Sequence, residues 1–232
     1  MRARGLALCA LAALACATGA AAAAALDLRV SCGLPRSEGE ARNVARGAFH
    51  GRDAIRFRLG LDDAGRCPAD LARGTHNRAE LRSGDLPLGR TVRIAFDIFI
   101  PRGFPATGGI AIGQLHQRRM KPLILLMASG TAYRVGLGSG LRALGAAVVV
   151  NEPLIRSDGY GRWHAIVIEG RFAREAGGAI RVFADGALRF EAAGRTVETE
   201  PYFKIGLYGL RERMAGPLAV YVTPPVLALE PQ

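Results

Sequence analysis

Short segments of alternating apolar and polar side chains, separated by Gly, Pro and Asp, constrain the fold of this chain more than any other feature. Residues 91–100 and 163–169 show the two-residue period of a strand with one buried face. Residues 179–191 contain two such runs around Asp185 and Gly186, a pair typical of a β-hairpin turn. Further strand segments are predicted at residues 122–127, 201–208 and 218–222. Many short strands predict an all-β protein, either a sandwich or a jelly roll, and only residues 38–47 hint at a helical period.

The N-terminus has the pattern of a secretory signal peptide. Arg2 and Arg4 precede a short apolar run, and an alanine-rich stretch follows it as far as Ala25. The apolar run is too short to span a bilayer, and we expect no membrane insertion. We therefore predict a signal peptide over residues 1–25, cleavage near Ala25, and one domain over residues 26–232. The mature protein is expected to be a bacterial protein that is secreted or periplasmic.

The charge of the chain favours a polyanionic partner. The sequence has 31 basic and 20 acidic residues, and removing residues 1–25 leaves a formal net charge of about +9. An export signal argues against nucleic acid as the partner, so an acidic polysaccharide is the better prediction. Nearly all of the positive charge is arginine, whose guanidinium binds carboxylates in a bidentate fork.

Cysteine usage predicts one disulfide and no zinc site. Cys32 and Cys67 are the two cysteines left after residue 25, and in an oxidising compartment such a pair indicates a bond between them. Two free buried thiols are the alternative. The sequence shows no His/Cys cluster with zinc spacing, so we predict no metal site for catalysis. A structural calcium on a loop remains compatible with the sequence, without ligands that can be named.

Three of the predicted strands have one polar face. Alternate residues of a strand share a face, which gives the polar sets as follows. In residues 76–82 the set is His76, Arg78, Glu80 and Arg82; in residues 112–118 it is Gln114, His116 and Arg118; in residues 202–208 it is Tyr202, Lys204, Gly206 and Tyr208. Such a collection of groups suits a sugar that carries a carboxylate. An ordinary solvated face of an antiparallel sheet is the alternative for each strand alone.

The same strings resemble the signature motifs of β-jelly-roll polysaccharide lyases. They are NRAELR at 77–82, GQLH at 113–116 and YFKIGLY at 202–208, and they occur in the order that jelly-roll alginate lyases carry them. The surrounding segments, including IPRGFP at 100–105, are more similar to the heparin lyase I and glucuronan lyase families. The resemblance implies a concanavalin-like antiparallel β-sandwich with a concave basic groove. It also implies β-elimination on a 4-linked uronate, with no cofactor required.

The resemblance also implies a role for each polar residue. Gln114 and Arg78 would bind the substrate carboxylate, with help from His76 or Arg82. Tyr208 would protonate the leaving oxygen, and either His116 or Tyr208 itself would remove the C5 proton. Lys204 and Arg118 would contact substrate, and Glu80 would hold Arg78 and Arg82 in place.

Other functions remain open from the sequence. A carbohydrate-binding module on the same fold would use the basic face without cleaving the polymer. A glycoside hydrolase needs two carboxylates that flank the bond, and Glu80 has no obvious acidic partner. A structural envelope protein that binds lipopolysaccharide is a third alternative. The sequence does not fix the polymer, although its context leans toward a glucuronate chain, and a monomer is expected.

Overall fold

The described chain forms two antiparallel sheets. The computed structural model describes residues 23–32, 43–63, 67–74 and 76–230. The ten-stranded sheet contains, in spatial order, β10 (Ala147–Asn151), β14 (Ala187–Gly194), β13 (Gly178–Ala184), β12 (Trp163–Arg171), β6 (Thr91–Phe99), β16 (Leu218–Val222), β4 (Arg52–Leu59) and β3 (Val44–Phe49). Its remaining strands are β17 (Val226–Leu229), which pairs with β6, and β1 (Ala24–Ala25), which pairs with β17.

The seven-stranded sheet carries the predicted polar strands. Its spatial order is β11 (Pro153–Arg156), β9 (Ala132–Leu137), β8 (Ile124–Ala128), β7 (Ile110–Gln117), β15 (Pro201–Leu210), β5 (His76–Asp85) and β2 (Arg29–Val30). Every pairing between described strands is antiparallel. The predicted all-β sandwich is therefore confirmed.

One hydrophobic core lies between the two sheets. The alternate residues of β6 that point inward are Val92, Ile94, Phe96 and Ile98, and each is at least 96% buried. The inward residues of β15 are Phe203, Ile205 and Leu207, which are fully buried. The rings of Phe96 and Phe203 lie 5.8 Å apart and so join the two sheets. Because a strand has two faces, burying these residues leaves the polar residues of β15 on the other face.

The turns confirm one local prediction and correct another. Asp185 and Gly186 connect β13 to β14, and both have positive φ angles, 49° and 81°, as a two-residue hairpin turn requires. Residues 44–47, which hinted at a helical period, lie instead in β3 and pair with β4. Burial against a neighbouring strand decided their structure, since a weak helical period is easily overridden by tertiary contacts. Asn43, just before β3, is helical, and residues 38–42 lie outside the described residues.

The described part of the chain also contains two short α-helices, one disulfide, and the 3-10 helices Ser157–Gly159 and Arg211–Arg213. The α-helices are α1 (Pro68–Arg73) and α2 (Ser139–Ala143). Cys32, just after β2, and Cys67, just before α1, form the predicted disulfide. Most of the predicted signal peptide, residues 1–22, lies outside the described residues, and Ala24 and Ala25 pair with Leu227 and Val226. No helix in the described part of the chain is long and apolar enough to cross a membrane.

An irregularity in β15 shapes the face that carries the polar residues. The register between β15 and β7 shifts between Ile205 and Tyr208, as in a β-bulge. Gly206 lies at this shift with a φ of 139°, and a Cβ built there would be 2.1 Å from the carbonyl oxygen of Ala79. Only glycine fits this approach of two backbones. No side chain therefore stands between Lys204 and Tyr208 on this strand.

Replacing Gly206 is expected to destabilise the protein. Gly206→Ala should lower the free energy of unfolding by about 2 kcal/mol or more, because the new methyl group meets the backbone of β5 and the φ angle is strained. Gly84→Ala is the matched control on β5, since a Cβ there has nothing within 4 Å. It should leave stability unchanged or raise it slightly. Urea denaturation of both variants measures the difference, and equal stability of the two would contradict this interpretation of β15.

Candidate active site

The three polar strands are neighbours in the seven-stranded sheet, with β15 between β5 and β7. On one side, Tyr208 lies opposite Arg78 and Lys204 lies opposite Arg82. On the other side, Lys204 lies opposite Gln114. Directly paired residues of antiparallel strands point to the same face, so the predicted polar residues of β5, β7 and β15 form one surface. We call this surface the polar face; it consists of His76, Arg78, Glu80, Arg82, Gln114, His116, Tyr202, Lys204, Gly206 and Tyr208.

The centre of the polar face is shielded from water. Four residues lie at its centre, and the fraction of each that is exposed to solvent is 1% for Glu80, 2% for Gln114, 6% for Lys204 and 9% for Tyr202. An ordinary solvated sheet face would leave such groups exposed. Burying polar groups is costly unless they find partners, so their contacts with one another matter for stability.

Glu80 is the common partner of these groups. Its Oε1 accepts a hydrogen bond of 2.5 Å from Gln114 Nε2, and its Oε2 accepts one of 3.0 Å from Arg78 Nη1. Lys204 Nζ lies 3.9 Å from Oε2. Burial raises the pKa of Glu80, and the charges of Lys204 and Arg78 act in the opposite direction. The carboxylate thus joins one residue from each of the three strands.

Arg82, the second arginine that Glu80 was predicted to hold, contacts a different residue. The expected pairing of Glu80 with Arg78 is present. Arg82 instead lies over the ring of Tyr202, with its Cζ 5.4 Å from the ring centroid, an arrangement that favours a cation–π interaction. Burial raises the pKa of Tyr202, and the charge of Arg82 opposes that shift.

Arg78 has a second carboxylate partner that the sequence did not indicate. Asp70 of α1, 2% exposed, accepts hydrogen bonds from Nε and Nη2 of Arg78 at 2.8 and 3.1 Å. The guanidinium also lies 4.4 Å from the ring centroid of Tyr208, and the ring of His76 stacks on Tyr208 at 5.3 Å. No motif or spacing in residues 68–73 points to this contact, because only the folded chain brings α1 to β5.

His116 is held as a neutral imidazole. Burial lowers its pKa to about 4, and the positive charge of Lys204 adds to the effect. Its Nδ1 is 2.8 Å from the carbonyl oxygen of Gln117, and its ring stacks on Tyr202 at 5.2 Å. The backbone N–H of Gln117 also lies 3.0 Å from Nδ1, so the two contacts of this atom correspond to different tautomers. The tautomer with the proton on Nδ1 leaves the lone pair of Nε2 available to accept another proton, as a base requires. His116 lies opposite Tyr202 and six positions along β15 from Tyr208.

Lys204 and Arg118 differ in their burial. Burial lowers the pKa of Lys204, an effect that the charge of Glu80 opposes. Arg118 follows the end of β7, is 59% exposed, and forms a salt bridge of 2.6 Å with Asp85. The structure therefore places Lys204 at the centre of the polar face and Arg118 at its edge.

His164, the other histidine in a described strand, lies away from the polar face. His164 on β12 is 4% exposed and contacts Asp185 at 2.7 Å and the carbonyl oxygen of Gly159 at 2.8 Å. Arg162 Nε also donates to Nε2 at 3.3 Å, so both ring nitrogens have protein contacts, which supports a structural role for His164. Within residues 23–32, 43–63, 67–74 and 76–230, no group of three or more His, Cys, Asp or Glu side chains is arranged to hold a metal ion.

The sequence matches one known family over most of its length. Residues 22–217 match the family model for polysaccharide lyases. The chain belongs to the polysaccharide lyase family. No curated protein is similar enough in sequence to match it. The predicted enzyme class, a polysaccharide lyase, is therefore confirmed, and the residues that act remain predictions.

Solved structures of lyases share the fold. The endo-β-1,4-glucuronan lyase from the fungus Trichoderma reesei has a TM-score of 0.62 at 15% identity, over 86% of this chain and 90% of its own. The alginate lyase AlgAT5 of polysaccharide lyase family 7 has a TM-score of 0.61 at 15% identity, over 88% and 94%. The family-7 alginate lyase A1-II' has a TM-score of 0.56 at 13% identity, over 81% and 84%. Identities this low show the fold alone, and they confirm the predicted jelly roll.

The ionisation of His116 can be measured directly. We expect its imidazole signals in an NMR titration to shift near pH 4 and not near the usual 6.5, because the ring is buried beside Lys204. Lys204→Met should raise this pKa by removing the nearby positive charge. Because the pKa of His116 is lower in the folded protein than in the unfolded chain, the neutral ring favours folding at high pH. This contribution to stability is complete above about pH 6.5 and is lost as the pH falls through 4. Titration of wild-type His116 above pH 6 would contradict this account.

Proposed function

We propose that this lyase cleaves a 4-linked, uronate-containing polysaccharide by β-elimination and leaves 4,5-unsaturated uronate ends. The observation that carries the proposal is the polar face, where a guanidinium, an amide and an ammonium group surround Glu80 with Tyr208 and neutral His116 on either side. Three basic side chains, Arg78, Arg82 and Lys204, lie here with two acidic ones, Glu80 and Asp70. A uronate carboxylate would add a third acidic group to this set.

The first task of such an enzyme is to neutralise the substrate carboxylate. The C5 proton is too weakly acidic while that carboxylate keeps its full charge, and stabilising the enolate-like intermediate is often the largest single contribution to catalysis. Arg78 keeps two N–H groups beyond those that bind Asp70 and Glu80, and Gln114 keeps one amide N–H beyond its bond to Glu80. These groups would bind the substrate carboxylate.

The second task is to move two protons. The base takes the C5 proton, the electrons of the C–H bond form the C4–C5 double bond, and the bond from C4 to O4 breaks. Tyr208 would donate its proton to O4. Each such transfer typically contributes about 10²–10⁴-fold to the rate.

The configuration at C5 decides which residue acts as the base. In β-D-glucuronate and β-D-mannuronate the C5 proton and O4 lie on the same side of the ring, so Tyr208 can perform both steps. As a phenolate it would take the C5 proton, and it would then pass that same proton to O4. In L-guluronate and L-iduronate they lie on opposite sides, so His116 must take the proton. Gly206 lies between Tyr208 and Lys204 on β15 and has no side chain that would separate them.

We place a glucuronate polymer first among the substrates and alginate second. This order rests on the flanking segments of the sequence and on a fold shared with a glucuronan lyase and with alginate lyases. Heparin has the least support. We also propose that the protein acts outside the cytoplasm, since the disulfide between Cys32 and Cys67 fits an oxidising compartment.

Activity on a panel of polymers tests the proposal. Purified protein is incubated with glucuronan, alginate, heparin, heparan sulfate, hyaluronan and chondroitin, and the ultraviolet absorbance of the unsaturated product is followed. We expect absorbance to rise with at least one polymer, and Tyr208→Phe to lower kcat by ~10²-fold or more. His116→Ala should lower kcat to a similar extent on guluronate and by much less on glucuronate.

Tyr133→Phe is the matched control for Tyr208→Phe. Tyr133 lies in the core, its hydroxyl group is buried without a hydrogen-bond partner, and removing it should leave kcat unchanged. Near wild-type turnover by folded Tyr208→Phe would contradict the assigned acid. A folded protein that binds one polymer and cleaves none would favour a carbohydrate-binding module on the same fold.

A further inference from the structure

The polar face depends on a carboxylate from outside its three strands. Asp70 lies on α1 and forms a bidentate contact with one edge of the Arg78 guanidinium, at 2.8 and 3.1 Å. Glu80 takes a third N–H of the same group at 3.0 Å. Three of the five N–H groups of Arg78 are therefore bound by two buried carboxylates, and the two that remain belong to Nη1 and Nη2.

This contact fixes the orientation of a long side chain. An arginine on a strand has several rotatable bonds, and a fork to a planar carboxylate sets both the position and the plane of its guanidinium. That plane also lies over the ring of Tyr208, 4.4 Å from its centroid. Asp70 thereby determines where the two remaining N–H groups point relative to the Tyr208 phenol.

We propose that Asp70 is a positioning residue for the lyase reaction. It holds Arg78 in the orientation that receives the substrate carboxylate beside Tyr208. The inference rests on the function proposed above, and it assigns a role to a residue outside the three strand motifs.

The disulfide keeps α1, and with it Asp70, next to β5. The backbone N–H of Asp70 donates to the carbonyl oxygen of Cys67 at 2.9 Å, and Cys67 is bonded to Cys32. Cys32 follows β2, which pairs with β5, and the N–H of Ser31 donates to the carbonyl oxygen of Glu80 at 2.9 Å. A six-residue helix is not stable alone, so this cross-link to the edge of β5 keeps Asp70 facing Arg78.

A purely structural salt bridge is the competing explanation. Buried ion pairs often contribute little net stability, yet removing one partner leaves an uncompensated charge and is costly. A structural role predicts a lower melting temperature for an Asp70 variant with the same kcat for the folded fraction. A positioning role predicts a loss of kcat that depends on the presence of Arg78.

A double-mutant cycle separates the two explanations. Wild type, Asp70→Asn, Arg78→Ala and the double variant are compared for kcat, KM and melting temperature on the polymer that wild type cleaves best. Asp70→Asn should lower kcat by about 10–100-fold in the wild-type background, as expected for a misplaced catalytic group, and should change kcat little in the Arg78→Ala background. It should lower the melting temperature of wild type and raise that of Arg78→Ala, where Asp70 has lost its cation.

Asp63→Asn is the matched control. Asp63 is also buried, 4% exposed, and accepts hydrogen bonds from Asn43 Nδ2 at 2.8 Å and from the N–H of Gly60 at 2.6 Å. The same substitution there should lower the melting temperature and leave kcat unchanged. The disulfide is tested with Cys32→Ser combined with Cys67→Ser, which should lower kcat more in wild type than in Asp70→Asn.

The outcomes that overturn the proposal are distinct from those that overturn the proposed function. Folded Asp70→Asn with wild-type kcat, or an equal loss of kcat in both Arg78 backgrounds, rejects the positioning role while the lyase function stands. If removing the disulfide lowers kcat equally in the wild type and in Asp70→Asn, the proposed role of the disulfide is rejected. If wild type cleaves no polymer, the proposed function fails; the same cycle is then measured by affinity electrophoresis in the polymer that wild type binds. The positioning role is also rejected if Asp70→Asn weakens polymer binding equally with and without Arg78. It is rejected as well if the wild type binds no polymer.

Discussion

The buried carboxylate of Glu80 is the interaction on which both the sheet and the site depend. It contacts Arg78 on its own strand, Gln114 on β7 and Lys204 on β15. A slip of one residue in either β7 or β15 would turn its polar partner into the core and leave the carboxylate uncompensated. The charge therefore helps to specify the register that brings the catalytic candidates together, so fold and function share one constraint.

Much of the fold and of the polar face could be predicted because alternation has a fixed physical meaning. In YFKIGLY, burying Phe203, Ile205 and Leu207 forces Lys204 and Tyr208 onto the opposite face, whatever the strand's neighbours are. The hairpin at Asp185 and Gly186 was predictable for a similar reason, since the turn needs two residues that accept positive φ angles. These features depend only on local geometry.

Other features arise from contacts that local sequence does not encode. Asp70 meets Arg78 where α1 lies against β5, just after the disulfide-bonded Cys67, and nothing in the helix sequence indicates this contact. The placement of Arg82 over Tyr202, where a pairing with Glu80 was expected, depends on side-chain packing across two strands. Residues 44–47 form a strand because β4 offers them an edge to pair with. Each case is decided by a neighbour distant in sequence.

The central claim is that the substrate carboxylate binds to the polar face between Tyr208 and His116. A crystal structure of the Tyr208→Phe variant with a short oligomer of the polymer that wild type cleaves best tests it most directly. The account predicts one uronate carboxylate within hydrogen-bond distance of Arg78 and Gln114, with its C5 and O4 directed toward position 208 or His116. An oligomer bound elsewhere, for example on the outer face of the ten-stranded sheet, with the polar face unoccupied, would contradict it.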